Sequence, residues 1–164
     1  MIFSDEVLTL AATVIDANRA AGLTVVTAES CTGGLVAGAL TEIAGSSDVV
    51  DRGFVTYSNE AKIESLGVSI DILDTFGAVS IAVAWAMAQG ALKHSHADVA
   101  VAVTGIAGPG GGSEKKPVGT VVFALARRND PDCKIADTKF FGDLGRSEIR
   151  RQAVLCALQL LMPG

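Results

Sequence analysis

Asp98-Val99-Ala100-Val101-Ala102-Val103-Thr104 is an unbroken apolar run opened by an acid and closed by a threonine. It offers apolar side chains to both sides, which suits a central strand covered on each face. Just upstream, residues 81–95 read as a long helix capped by Ser80, rich in Ala and Met and apolar over most of its circumference, hence buried. Downstream comes a Gly/Pro-rich loop, 105–117, then strands near 118–127 and 133–141. The short connection between those two strands forces an antiparallel pair. A last helix, 146–161, carries Arg146, Arg150 and Arg151 in its first turns. On the N-terminal side, Val7, Leu8, Leu10, Ala11, Val14 and Ile15 recur at helical spacing over 5–21, after a Ser4 cap and before Gly22. A short strand at 24–28 leads through Glu29-Ser30-Cys31-Thr32-Gly33-Gly34 into a second helix ending near Ala44. Strand 52–57, a short helix from Asn59 and a helical turn at 70–76 complete the reading. Helices and strands interleave without a break in composition, so the expectation is one α/β domain over 1–164 with a mixed β-sheet.

The bulk numbers narrow the function classes. Of 164 residues, 49% are apolar, yet no apolar run nears the ~20 residues of a membrane span. The acidic start, Ser4-Asp5-Glu6, lacks the basic region of a signal peptide, so a soluble cytoplasmic protein is expected. A formal charge of -5 argues against nucleic acid, which needs a basic face to displace counterions. Cys31, Cys133 and Cys156 are widely spaced, with no CxxC or Cys/His cluster, so neither a metal site nor a disulfide framework is expected. His94 and His96 are the only histidines and sit in a helix-end context that suits solvent. A hydrolase built on this chain would therefore route its protons through lysine.

Three segments carry possible chemistry. In Thr27-Ala28-Glu29-Ser30-Cys31-Thr32-Gly33-Gly34, a strand end meets a helix start, where free N–H groups and small residues form an anion cradle. The plainer alternative is a tight turn with Thr32 as cap. In Thr104-Gly105-Ile106-Ala107-Gly108-Pro109-Gly110-Gly111-Gly112-Ser113, glycines let a backbone approach a ligand closely. It matches no phosphate-loop pattern, and a surface loop is the alternative, but its length and place after a strand favour a functional lid. In Arg52-Gly53-Phe54-Val55-Thr56-Tyr57-Ser58-Asn59-Glu60-Ala61-Lys62, serine, tyrosine and lysine gather near a helix start. These are parts with which a hydroxyl can attack an amide without histidine. Taken alone, Lys62 reads equally as a solvated helix residue and Tyr57 as an edge-strand aromatic.

Taken together, 27–34, Ala44-Gly45-Ser46-Ser47, 52–62, Gly77-Ala78-Val79-Ser80, 103–121 and 146–154 resemble, in order and over nearly the whole chain, the C-terminal domain of the competence/damage-inducible protein CinA. The resemblance implies a three-layer α/β/α fold. Stand-alone members of that family are nicotinamide-nucleotide amidohydrolases. The implied activity is hydrolysis of nicotinamide mononucleotide to nicotinate mononucleotide and ammonia, a step in NAD recycling, with no cofactor and no metal. Carried over by motif, the nucleophile falls on Ser47, the general base on Lys62 and an assisting phenol on Tyr57. Ser30, Thr32, Gly33, Thr104, Gly105, Gly108 and Arg146 are the expected substrate-binding residues. Ser46 and Ser30 stand as other candidate nucleophiles. The resemblance also makes a homo-oligomer the expectation.

Amide hydrolysis by such a set needs an uncharged lysine. An ordinary one, with a pKa of ~10.4, is already protonated at neutral pH. Burial or a neighbouring positive charge must lower it. Tyr57 is expected to relay a proton or hold the lysine–serine hydrogen bond. Two rivals remain at this stage: a thiol amidase with Cys31 as nucleophile, and a nucleotide-binding regulatory module in which Lys62 is structural.

Overall fold

The computed structural model describes residues 2–164. The opening run forms Val99–Gly105 (β3), the middle strand of a five-stranded sheet, buried along its length up to Gly105. Val25–Glu29 (β1) runs parallel to it on one side, and Val50–Val55 (β2) runs parallel to β1 at that edge. On the other side lie Thr120–Arg127 (β4) and Asp130–Phe140 (β5), each antiparallel to its neighbour. The sheet order is β2-β1-β3-β4-β5, mixed as the short β4–β5 connection requires. Pro131, which cannot donate to a ladder, is tolerated because β5 is an edge strand.

Helices cover both faces. Asp5–Ala21 (α1), Leu35–Thr41 (α2) and Arg146–Leu160 (α6) pack on one, burying Val14, Ile15, Leu40, Ile149 and Leu158 against Val101, Val103 and Phe123. Asn59–Leu66 (α3), Ile70–Phe76 (α4) and Ile81–Lys93 (α5) pack on the other, over Val26, Ala28, Ala100 and Ala102. This is the expected three-layer arrangement. No helix among the described residues is long and apolar enough to cross a membrane.

The local causes are visible in the sequence. The Ser4 side chain accepts from the Val7 amide at the start of α1, and Gly22 ends the helix in the left-handed region. Ser58 plays the same capping part for α3, accepting from the Ala61 amide at 3.0 Å. Where α3 meets α5, Gly90 touches the end of α3 so closely that a Cβ there would overlap the Leu66 carbonyl oxygen.

Two boundaries differ from expectation in ways that matter. The second helix stops at Thr41 and gives way to a 3-10 turn, Ser46–Asp48, held to α1 by Arg19, whose Nη2 donates to the Gly45 carbonyl at 2.8 Å. Strand β2 is finished by Val55, so Thr56 and Tyr57 lie beyond it in the irregular link to α3.

Candidate active site

Because β1 and β2 are parallel and aligned, Glu29 opposite Val55, the residues that follow each strand emerge together at one end of the sheet. Ser30 follows β1, while Thr56, Tyr57 and the start of α3 follow β2. Lys62, one turn into α3, reaches back into the gap, and the residue is only 1% exposed. Its Nζ lies 3.0 Å from Ser30 Oγ, 2.9 Å from the Thr56 carbonyl oxygen and 3.2 Å from that of Tyr57. No carboxylate pairs with it among the described residues. Burial therefore lowers the Lys62 pKa below the ordinary lysine value, opposed only by the neighbouring Cys31. In this arrangement Nζ donates to all three oxygens, and the Ser30 hydroxyl lies 3.5 Å from the Tyr57 carbonyl that it can donate to; once neutral, the amine keeps two N–H groups for the carbonyls and has its lone pair for the Ser30 hydroxyl.

Ser47 is not part of this cluster. It is exposed on the 3-10 turn that precedes β2, at the opposite end of the strand from Lys62. Six strand residues at ~3.3 Å each separate the two ends by about 20 Å. Ser46, buried beside it, shares that location. The structure thus brings Ser30, and neither Ser46 nor Ser47, to the lysine.

Tyr57 also departs from expectation. Its backbone carbonyl contacts Lys62, but the residue is 61% exposed and its hydroxyl accepts from Arg146 Nη2 at 3.0 Å, with no hydrogen bond to Lys62 or Ser30. A phenol engaged by the guanidinium does not bridge Lys62 and Ser30. Arg146 Nη1 donates to the Gly108 carbonyl at 2.7 Å, so this arginine ties the first turn of α6 to the glycine loop and to Tyr57.

The cluster opens into a cavity of about 260 Å³ whose walls include Ser30, Cys31, Lys62, Thr104, Gly108 and Arg146. Gly105 lines it too. Thr104 faces it from the end of β3, its Oγ1 donating to the Ala78 carbonyl at 2.9 Å and so holding the loop before α5 against the cavity. Thr32 and Gly33 do not line it. Thr32 is buried with its hydroxyl donating to Glu29 Oε1 at 2.6 Å, and Gly33, at φ 57°, lies beneath Arg150 on the outer side of the turn.

Cys31 is 6% exposed, and burial pushes its thiol up to about 12, with the Glu29 carboxylate adding to the rise. Its own backbone amide, Arg150 and Lys62 pull the other way and are outweighed. A thiol in that state supplies almost no thiolate at neutral pH, which counts against the thiol-amidase reading.

Two residues that hold the site together had no role in the sequence reading. Glu29, fully buried, accepts from the Val36 amide at 2.8 Å and the Ala37 amide at 3.1 Å, as well as from Thr32 and Thr27. It caps α2 from inside and fixes the turn that carries Ser30. Arg150 grips the same turn from outside, its Nε donating to the Cys31 carbonyl at 3.0 Å. An acid directly before Ser30-Cys31-Thr32-Gly33-Gly34 was the available signal for the first; nothing local announces the second.

A mixed five-stranded sheet between two helical layers, with a buried serine–lysine pair at the ends of parallel strands, is the class of protein these features define. The chain belongs to the CinA C-terminal domain family, whose model matches residues 7–163. It is 53% identical over 156 residues to the nicotinamide-nucleotide amidohydrolase PncC of Escherichia coli K12, covering 95% of this chain and 93% of that one. It is 49% identical over 160 residues to a putative competence-damage inducible protein of Caldicellulosiruptor saccharolyticus, covering 98% of this chain but 38% of that longer protein. The crystal structure of the competence/damage inducible protein CihA from Agrobacterium tumefaciens superposes with a TM-score of 0.94 at 56% identity, covering 98% of this chain and 96% of that one.

Proposed function

We propose that this protein hydrolyses the carboxamide of nicotinamide mononucleotide, releasing ammonia and nicotinate mononucleotide, with Ser30 as nucleophile and Lys62 as general base. The observation that carries the mechanism is the 3.0 Å contact between a buried, carboxylate-free lysine and the Ser30 hydroxyl. The substrate reading is supported by the likeness to relatives bearing the amidohydrolase name.

In the first step Lys62 Nζ takes the Ser30 proton as Oγ bonds to the carboxamide carbon, giving a tetrahedral oxyanion. The Lys62 ammonium then returns that proton to the departing nitrogen, the C–N bond breaks, and ammonia leaves behind an acyl ester on Ser30. Water, deprotonated by the same amine, attacks the ester; the Lys62 ammonium then returns a proton to Ser30 Oγ as the C–O bond breaks, freeing the acid product and restoring the enzyme. The carbonyls of Thr56 and Tyr57 stabilise the ammonium while it exists. Backbone N–H groups of a glycine-rich segment supply the oxyanion donors, each worth ~10²–10³ in rate. The Ile106 amide is not among them, since it donates to Thr120.

At about 260 Å³ the cavity is near the lower end of ligand pockets, so a nucleotide entering ring-first leaves its phosphate at the mouth. Arg146 is the exposed cation there. Ammonia release should therefore follow the order nicotinamide mononucleotide, then its riboside, then free nicotinamide. Arg146→Ala should raise KM for the nucleotide by about 10-fold or more and narrow that order. Binding of the nucleotide with no ammonia formed would replace the enzyme by a sensor module.

A further inference from the structure

Building on the nucleotide-amidase reading, we propose that the aromatic face of Tyr57 recognises the positive charge of the substrate's pyridinium ring. Tyr57 then selects N-alkylated pyridinium carboxamides over neutral aromatic amides, as a specificity-determining residue distinct from the proton-transfer pair.

The cavity walls hold two basic side chains, Lys62 and Arg146, and no aspartate or glutamate. The acid nearest in sequence to Ser30, Glu29, is turned to the other side of β1 with its oxygens bonded to Val36, Ala37, Thr27 and Thr32. The Cys31 thiol on the wall offers no negative charge. A permanently cationic ring entering this space beside a neutral Lys62 meets the Arg146 charge and finds no ion pair.

Tyr57 is the one aromatic side chain among the wall residues. Its backbone is anchored at the buried lysine, whereas its side chain stands at the open mouth. Arg146 holds the hydroxyl at 3.0 Å, which limits how the ring can turn. With its hydroxyl so occupied, the ring is free to serve through its π face. That face carries the negative part of the aromatic quadrupole and attracts cations within about 6 Å of its centre. A zwitterionic substrate matches both groups, its ring cation on the tyrosine face and its phosphate on the arginine beside it.

The test uses a matched pair: nicotinamide mononucleotide and the C-nucleotide in which a neutral benzamide ring replaces the pyridinium. Dissociation constants are measured calorimetrically on Ser30→Ala protein, where no turnover occurs. With Tyr57 present, the cationic compound should bind about 5- to 30-fold more tightly than the neutral one. Tyr57→Phe, which keeps the face and loses the Arg146 contact, should retain that ratio. Tyr57→Leu should abolish or reverse it, because the Arg146 charge then acts unopposed. The inhibition constant of the neutral compound against turnover by protein with an intact Ser30 gives the ratio a second time, should Ser30→Ala bind poorly. A ratio indifferent to residue 57 in an enzyme that does release ammonia overturns the Tyr57 assignment alone. Absence of both ammonia release and binding of either compound overturns the substrate reading, and this one with it.

Discussion

Exchanging Ser30 for alanine tests the mechanism where it is most exposed. The change removes the hydroxyl at 3.0 Å from Lys62 Nζ and leaves the amine with the Thr56 and Tyr57 carbonyls. Losing one partner of a buried, partly charged hydrogen bond costs about 1–3 kcal/mol. For a domain of this size that lowers the melting temperature by roughly 2–4 °C per kcal/mol, so the variant stays folded at 25 °C. Turnover is affected on another scale. Without the nucleophile, kcat should fall by at least ~10⁴, since the general base has nothing to activate in the acylation step. Ser47→Ala is the matched control: its side chain is exposed on a turn, so stability should change by no more than about 0.5 kcal/mol and ammonia release should stay at the wild-type rate. Ammonia is measured by a coupled assay on both proteins beside thermal melts. An inactive, folded Ser47→Ala together with an active Ser30→Ala would refute the assignment outright.

Four further outcomes follow from the same geometry. Because burial lowers the Lys62 pKa, kcat/KM should climb about tenfold per pH unit on its acid limb and level off below the pH of ordinary lysine titration, while Lys62→Arg, charged at every accessible pH, should be inactive. The same displacement links folding to pH. Between the depressed folded value and the ordinary unfolded one, the unfolded chain binds more protons, so the stability of wild type relative to Lys62→Met should rise with pH across that window, read by urea melts at neutral and alkaline pH. Cys31→Ala should keep most of the ammonia-releasing activity, and iodoacetamide should label Cys31 slowly in the folded protein, because its thiol is pushed up to about 12. Glu29→Ala should destabilise the fold by about 3 kcal/mol or more in urea melts by stranding two buried amides, and Glu29→Gln, which restores an acceptor, should recover part of that loss.

Much of the scaffold was readable from local pattern. The run at 98–104 could only be an inner strand, and the short β4–β5 link imposed the antiparallel edge. Lys62 was singled out through the family resemblance, since taken alone it read equally as a solvated helix residue. Its partner was not. Ser47 is nearer in the chain, whereas Ser30 lies 32 residues away and reaches Lys62 only because β1 and β2 are parallel neighbours. Pairing of distant strands is decided by packing of the whole sheet, which no window of sequence contains. The Tyr57 phenol, expected at the lysine–serine pair, bonds to Arg146 instead, for a related reason. With β2 ended at Val55, the chain turns so that carbonyls face the amine and the phenol faces out. Thr32 was expected to bind substrate or to cap the helix, but no side chain caps α2 from its N-cap position, and the Thr32 hydroxyl donates to the buried Glu29 instead.

The abutment of Gly90 on the Leu66 carbonyl has a consequence for anyone altering this protein. A single methyl group at position 90 would push α3 outward from α5, and Lys62 rides on α3. The amine would withdraw from its alcohol although no wall of the cavity had been touched. Reactivity here is shimmed from behind, and a survey confined to substrate-facing positions would pass over the residue that sets the spacing.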